Sequence, residues 1–214
     1  MGTKDHIYAA IFDELIILLD LKHGEYLLHT PEQWENIKSQ YVTSDTQGDQ
    51  GKQATITINN YRGRKFRHFN SPSWSAKNGG VPKLNNAFSL VPAFVRTIIT
   101  AIFLKILGTH LSSLILLKPL RPPKRRIKSK SPFHLGVIET YKSAAFFSPF
   151  KITCLQMSFM IAGHLRQNGV DAKVTIGIRP IPFVAHAWVE NGEEIYDEDP
   201  CIRDCYGVIV RLPI

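Results

Sequence analysis

Cys154 is the residue best placed to act as a nucleophile. Thr153 and Gln156 stand three residues apart just ahead of an apolar run, and Asn168-Gly169 follows that run. The first pair is typical of a capping box and the second of a helix stop, so the pattern predicts a helix that begins at Cys154. A thiol at that position lies against unpaired backbone N–H groups and the positive end of the helix dipole, which favour the thiolate.

A hairpin downstream supplies a histidine and a carboxylate. Asn191-Gly192 lies between two extended runs and predicts a two-residue turn. If Glu190 then pairs with Glu193, counting outward places His186 opposite Asp197, with Cβ atoms roughly 5 Å apart. With the helical thiol, this register predicts a cysteine–histidine–aspartate triad for nucleophilic catalysis. An inert buried thiol and a satisfied core histidine are the alternatives for each residue taken alone.

The segment from Cys154 to Asp199 carries a family resemblance. It contains H-L-R-Q-N-G-V-D-A-K-V-T-I-G-I-R and F-V-A-H-A-W-V-E-N-G-E-E-I-Y-D, and it resembles the transglutaminase-like B proteins of lasso peptide biosynthesis. Many members have one more residue before the turn glycine. The resemblance implies a leader peptidase whose catalytic residues fall on Cys154, His186 and Asp197.

The same resemblance implies partners. They are the lasso precursor peptide, with its leader, and an asparagine-synthetase-like cyclase, within a maturation machinery that can require ATP. The chain has no G-x-x-x-x-G-K-[ST] loop, so no nucleotide site and no bound cofactor are predicted.

Three short apolar runs near the N-terminus predict a small antiparallel sheet: H-I-Y-A-A-I-F, L-I-I-L-L-D-L and E-Y-L-L-H. Thr30 as N-cap and Pro31 at the first helical position predict a helix after it. This pattern resembles the precursor-peptide recognition element, a winged-helix-like module that binds leader peptides by adding a strand to its sheet. The resemblance places the leader beside the third run and so assigns leader binding to Tyr26, Leu27 and Leu28.

The predicted fold class is α+β, with a small N-terminal winged-helix-like peptide-recognition module followed by a papain/transglutaminase-like cysteine protease domain. Residues 54–58 predict one further strand, and Gly, Pro, Ser and Asn are concentrated at 71–83, which is typical of a linker. The predicted division is 1–70 for the module, 71–86 for the linker and 87–214 for the peptidase domain. The alternative for the N-terminal part is a structural extension of the peptidase domain.

The net charge of +8 is unevenly distributed. Residues 51–130 contain 16 Lys and Arg and no Asp or Glu, and residues 118–130 are the densest part. A solvated loop is the ordinary use of such a run, and an acidic partner, a phosphate-bearing ligand or an anionic membrane surface are the alternatives. No aromatic residues interleave the densest part, so no nucleic-acid partner is predicted.

Residues 87–117 form the longest apolar stretch. Arg96 and Lys105 interrupt it, and the run without Lys or Arg at 106–117 is shorter than the ~18 to 20 residues that a membrane span needs. We therefore expect buried helices here, with a peripheral membrane contact as the alternative.

Three cysteines at dissimilar spacings predict no disulfide framework. Cys201 and Cys205 lack a second pair of ligands, so no metal site is predicted. With no signal-sequence pattern at the N-terminus, the expected location is cytoplasmic. Two rival functions stay open: an acyltransferase or transglutaminase that uses the same three catalytic residues, and a non-catalytic escort for the precursor.

Overall fold

The computed structural model describes residues 7–40, 57–67, 87–118, 132–148 and 151–213. The predicted linker lies entirely outside the described residues, as does the densest basic run after Lys118. The described elements form two four-stranded sheets and a group of helices.

The predicted N-terminal antiparallel sheet is confirmed, and a fourth strand joins it. The spatial order is β3-β2-β1-β4, with β4 parallel to β1 and the other pairs antiparallel. The four strands are β1 (Ile7–Ile11), β2 (Ile16–Asp20), β3 (Glu25–His29) and β4 (Thr57–Asn60). β4 overlaps the strand predicted at 54–58, of which residues 54–56 lie outside the described part.

The predicted helix after β3 is also confirmed. It is α1 (Pro31–Ile37), and a 3₁₀ turn, Lys38–Gln40, follows it. The Gln33 N–H donates to the Thr30 hydroxyl, and the Thr30 N–H donates to the Gln33 side chain, so both halves of a capping box are present.

Both faces of the two central strands of the N-terminal sheet, β1 and β2, are covered. Side chains alternate between the faces of a strand, so β1 and β2 contribute to two separate clusters. The cluster under α1 consists of Ala9, Ile16, Leu18 and Trp34. The other face joins the main core of the chain through Tyr8, Ala10, Phe12, Ile17 and Leu19.

The second sheet is antiparallel and has the order β7-β6-β5-β8. Its strands are β5 (Lys173–Arg179), β6 (Val184–Asn191), β7 (Glu194–Ile195) and β8 (Gly207–Leu212). The helices around it are α2 (Ala87–Leu116), α3 (Pro132–Phe146), α4 (Cys154–Gln167) and the short α5 (Ile202–Cys205).

α4 is the central helix, as its apolar sequence predicts. It packs against β5 and β6 on one side and against α2 and α3 on the other. Its buried apolar residues are Met157, Phe159, Met160, Ile161, Ala162 and Leu165. Because neighbours surround it, an apolar residue is favourable at almost every position.

The two sheets are joined by direct contacts. The Asn59 side-chain amide donates to the carbonyl of Ile209 at 3.0 Å, and the Tyr61 hydroxyl donates to the carbonyl of Val208 at 2.7 Å. Both bonds link the end of the N-terminal sheet to β8. The N-terminal sheet therefore packs on the rest of the chain through a shared core and these bonds.

The expectation of buried helices at 87–117 is wrong for one side of α2. The 27 residues from Leu90 to Leu116 are long and apolar enough, by length and composition, to cross a membrane, yet only 17% of the most apolar window is buried. The sequence cannot show this, because an apolar run has the same composition whether its outer face is covered or open.

Gly108 breaks α2 where the helix meets the turn after β2. Its φ of 70° and ψ of 175° are not helical, and a Cβ at this position would lie 2.4 Å from the carbonyl oxygen of Lys22. Only glycine combines this backbone conformation with so close an approach.

We expect Gly108→Ala to lower the free energy of unfolding by roughly 2 kcal/mol or more, because the alanine is strained and its methyl group meets a backbone oxygen. Gly136→Ala is the matched control, since Gly136 lies within α3 with no atom in the way, and it should stabilise by up to ~1 kcal/mol. Urea denaturation of the two variants measures both effects. Equal stability of the two would contradict the described break in α2.

Candidate active site

The capping box predicted for α4 is present and fixes the position of Cys154. The Gln156 N–H donates to the Thr153 hydroxyl, and the Gln156 side chain accepts from the Thr153 N–H at 2.9 Å. Thr153 is the N-cap residue, so Cys154 is the first residue of the helix and is half-buried. Its thiol therefore lies at the positive end of the helix dipole.

His186 lies on the second sheet, close to Cys154. It lies on β6, the strand against which α4 packs, and its imidazole is close enough to the thiol to lower the pKa of Cys154 by hydrogen bonding and by charge. The backbone N–H groups of Ala187 and Leu155 lower the pKa of the thiol as well. The structure thus brings together two of the three residues predicted for the triad.

Glu198 is the carboxylate that contacts the imidazole. Its Oε1 lies 2.9 Å from His186 Nε2, and both side chains are only 11% exposed. This bond occupies one ring nitrogen and leaves the other for the thiol. A carboxylate in this place orients the imidazole and favours its protonated form.

The predicted register of the hairpin is wrong, and this explains why Asp197 is not the residue on the imidazole. Asn191 pairs with Glu194 and Glu190 with Ile195, so the loop is Gly192-Glu193, one residue later than predicted. Gly192 takes a φ of 61° at the first loop position. The ladder of β6 and β7 also ends after two pairs, so counting as far as His186 has no structural basis.

Asp197 has a different local role in the structure. Its Oδ1 accepts a hydrogen bond from the N–H of Val189 at 2.8 Å. Burial of the carboxyl raises the pKa of Asp197 to about 7, against the opposing effect of that hydrogen bond. The Asp197 side chain therefore pairs with a backbone N–H of β6 just beyond the point where the pairing of β6 with β7 ends. Its assignment as a catalytic residue stays a prediction.

Aromatic rings enclose the histidine. The imidazole stacks on Trp188 with ring centroids 6.5 Å apart and lies 5.7 Å from Tyr206, and both of these rings are buried. Glycine at position 177 leaves room for the Trp188 ring, because a Cβ there would lie 2.5 Å from that ring. No pattern in the sequence indicated Tyr206, which directly follows α5.

The surroundings of the Cys154 thiol and the His186 imidazole favour the charged forms of both groups. Burial alone would raise the pKa of Cys154, but the hydrogen bond and charge of His186, with the two backbone N–H groups, lower it below its usual value. Burial would likewise lower the pKa of His186, but hydrogen bonds to Cys154 and Glu198 raise it to about 9. Both shifts favour the thiolate and the imidazolium over the neutral thiol and imidazole.

The other two cysteines lie outside this site. A hydrogen bond to Asp199 raises the pKa of Cys201 to about 11, and the Cys205 thiol donates to the carbonyl of Cys201. All three cysteines are free. Within the part of the chain that the structure describes, no group of three or more His, Cys, Asp or Glu side chains is arranged to hold a metal ion.

The residues predicted to bind the leader lie on β3, an edge strand of the N-terminal sheet. Leu27 and Leu28 are 43% and 44% exposed. Tyr26 is half-buried, and its ring packs against that of Phe183 at 5.5 Å. Burial, with a smaller effect from the charge of Cys154, raises the pKa of Tyr26 to about 12. The middle of β3 is therefore close enough to Cys154 for their charges to interact.

Comparisons with known proteins show which family this part of the chain is similar to. A family model described as the transglutaminase-like superfamily matches residues 94–211, which include Cys154, His186 and Glu198. The chain is also similar to the microcin J25-processing protein McjB of Escherichia coli, with 36% identity over 63 residues. That match covers 29% of this chain and 30% of the relative. No solved structure gives a significant match. The resemblance to lasso peptide B proteins is thereby confirmed.

We expect the pH dependence of Cys154 alkylation to separate the two carboxylates. Thiolate reacts with iodoacetamide and thiol does not, so the rate rises with pH through the pKa of Cys154. Glu198→Gln should move the midpoint to higher pH by about one unit, because the imidazolium that stabilises the thiolate loses its partner. Asp197→Asn, the matched control, should move it far less.

Peptide-level mass spectrometry measures each cysteine separately. Cys201 serves as an internal reference, because its raised pKa should delay its reaction to more alkaline pH. A larger shift in Asp197→Asn than in Glu198→Gln would mean that Asp197 is the partner of the imidazole in solution.

Proposed function

The chain belongs to the transglutaminase-like superfamily, and on that premise we propose that it is a cysteine peptidase that removes the leader from a lasso peptide precursor. The observation that carries the proposal is the contact between Cys154, at the N-terminus of α4, and His186, whose other nitrogen is held by Glu198. The similarity to a microcin-processing protein supports a peptide precursor as the substrate class.

The proposed reaction proceeds through a thioester. The Cys154 thiolate attacks the carbonyl carbon at the junction of leader and core, and backbone N–H groups at the start of α4 stabilise the oxyanion. The protonated imidazole of His186 gives its proton to the leaving amine of the core as the C–N bond breaks. Water then attacks the thioester, His186 takes a proton from it, and the leader leaves with a free carboxylate.

Glu198 has a supporting role in this scheme. Its carboxylate keeps the imidazole oriented and stabilises the positive charge that His186 carries before the proton is transferred. Asp197 is the residue that the family resemblance aligns with this role. Because it accepts a hydrogen bond from the Val189 backbone instead, we propose that Glu198 performs the task in this chain.

The leader is proposed to bind along β3. An edge strand has unpaired N–H and C=O groups along one side, and a peptide can add to it as a further strand. The exposed Leu27 and Leu28 would contribute side-chain specificity. Because Tyr26 lies near Cys154, a peptide on this strand would pass close to the thiol. The N-terminal part, proposed as residues 1–70, would then act as a recognition module.

The proposed setting is the cytoplasm, with an asparagine-synthetase-like cyclase as the enzyme that receives the freed core. An amine in place of water would turn the same thioester into an acyl-transfer product. The residues at the site are compatible with either acceptor, so the acceptor must be identified from the product.

A cleavage assay on the full chain tests the function. We expect the wild-type protein to convert a precursor peptide, encoded beside the gene for this chain, into leader and core, whose masses together exceed the precursor mass by one water. Cys154→Ala should abolish cleavage and leave precursor binding unchanged, because the thiol does the chemistry and is not needed for docking.

Three outcomes would contradict the proposed leader peptidase activity. Cleavage by Cys154→Ala at the wild-type rate would exclude the mechanism. A leader attached to an added amine would identify an acyltransferase. Precursor binding with no product in the presence of the cyclase and ATP would identify an escort.

Leader docking has its own test, because proline removes a backbone N–H from an edge strand. Adjacent N–H groups on a strand point in opposite directions, so Leu27→Pro and Leu28→Pro affect different partners. We expect one variant to remain as stable as wild type but lose at least about tenfold in leader affinity. The other should lower the melting temperature by breaking a bond to β2.

Fluorescence anisotropy with a labelled leader peptide measures the affinity. Leu27→Ala and Leu28→Ala are the controls, since they shorten the side chain and keep the N–H. If a stable proline variant at each position binds leader as wild type does, β3 is not the docking strand.

A further inference from the structure

The outer side of α2 carries a continuous apolar face, which we name the α2 stripe. Its members are Val91, Val95, Ile99, Ile102 and Ile106, and all are exposed. Val91 and Ile106 are 67% and 74% exposed. A helix advances about 100° per residue, so the five side chains fall within an arc of about 80°. The stripe is therefore one face, about 23 Å long at ~1.5 Å per residue.

The opposite side of α2 consists of small residues, some of them polar. Ala93, Thr97 and Thr100 are buried there, and Thr97 turns its hydroxyl back to the carbonyl of Ala93. After the break at Gly108, buried Ser112 and Ser113 continue the trend while Leu111, Leu114 and Ile115 are exposed. The polarity of α2 is thus inverted relative to a surface helix of a water-soluble protein. Small residues at helix contacts and aliphatic residues outside are typical of helices in contact with lipid.

α2 cannot be surrounded by lipid, because protein already covers its inner side. It packs against α3 and α4, and it is broken at Gly108. These contacts fit a helix that lies flat on a surface rather than one that crosses a bilayer.

The charges around the stripe favour an anionic surface. α2 contains no Asp or Glu, and the exposed Lys105 and Lys118 flank its apolar residues. The next residues in the sequence, 119–130, add six Lys and Arg and again no acidic residue. A basic cluster next to an apolar helix is the composition that binds anionic headgroups.

A protein partner fits the same face less well. Protein interfaces combine apolar residues with aromatic and arginine anchors and with hydrogen bonds at the rim. The α2 stripe contains only Val and Ile, and none of these side chains can donate or accept a hydrogen bond.

We propose that the α2 stripe binds the surface of an anionic lipid bilayer, with α2 lying in the plane of the headgroups and α3 and α4 above it. The aliphatic side chains enter the boundary of the acyl chains, and Lys105 and Lys118 reach the phosphates with their long stems. The proposal rests on the exposure, polarity and charge of α2. It does not depend on the proposed peptidase function.

Vesicle co-sedimentation of the full chain tests this inference. We expect binding to vesicles that mix phosphatidylcholine with phosphatidylglycerol, weak binding to phosphatidylcholine alone, and loss of affinity as salt is added. The combined variant Val95→Ser, Ile102→Ser and Ile106→Ser should reduce partitioning by at least about tenfold, because three side chains no longer enter the apolar boundary.

Ile181→Ser is the matched control. Ile181 is 64% exposed in the loop between β5 and β6, so its loss should leave vesicle binding unchanged. The three substituted residues are exposed, so serine should not unfold the chain, and circular dichroism verifies this. The salt and lipid dependence of the wild-type protein supplies a test that needs no variant.

Several results would overturn the proposal. They are the absence of vesicle binding, equal binding to neutral and anionic vesicles, and equal binding by the triple variant and the wild type. Self-association without lipid that the triple variant abolishes would show instead that a second copy of the chain covers the stripe.

Discussion

The site depends on one packing contact, that of α4 across β6. Cys154 is the first residue of the helix and His186 lies within the strand, so the distance between thiol and imidazole is set by how the two elements pack. α4 is held from behind as well, since a Cβ at Gly163 would lie 2.9 Å from the carbonyl of Leu116 at the end of α2. A helix fixed on all sides can hold a charged pair that burial alone would oppose.

The sequence predicted the starts of two helices correctly, because a helix start is determined by residues that are close together in the chain. Both capping boxes involve residues three apart, and Thr30 and Thr153 start their helices where the pattern places them. The predicted register of the β6–β7 hairpin was wrong, and the strand beside the turn has contacts that the turn residues alone do not indicate. Glu190 is buried, accepts hydrogen bonds from Arg203 and Arg211, and fixes the strand from outside the turn. The predicted count placed Asp197 opposite His186, but the pairing of β6 with β7 ends at Glu190 and Ile195, and Glu198 is the residue that contacts the imidazole.

The shared core changes how the N-terminal sheet is understood. A module on a flexible tether raises the effective concentration of its ligand but does not orient it. Here one face of the sheet joins the same core as α4, and Tyr61 and Asn59 bond directly to β8. β3 therefore has a fixed position relative to Cys154. A peptide bound along it would be presented in a set direction, which saves the entropy of orienting the scissile bond as well as that of bringing it near.

The arrangement of polar and apolar residues around α2 indicates its environment, which the composition of the helix alone does not. An apolar stretch of this length fits a buried helix, a membrane span or a helix at an interface, and the number of Val, Ile and Leu residues is the same in each case. The distinction lies in which positions the protein covers. Burying Thr97 and Thr100 while exposing Ile99 and Ile102 would cost apolar burial in water at every turn of the helix. Contact with a second apolar phase removes that cost, so the same arrangement becomes favourable when lipid replaces water on the outer side.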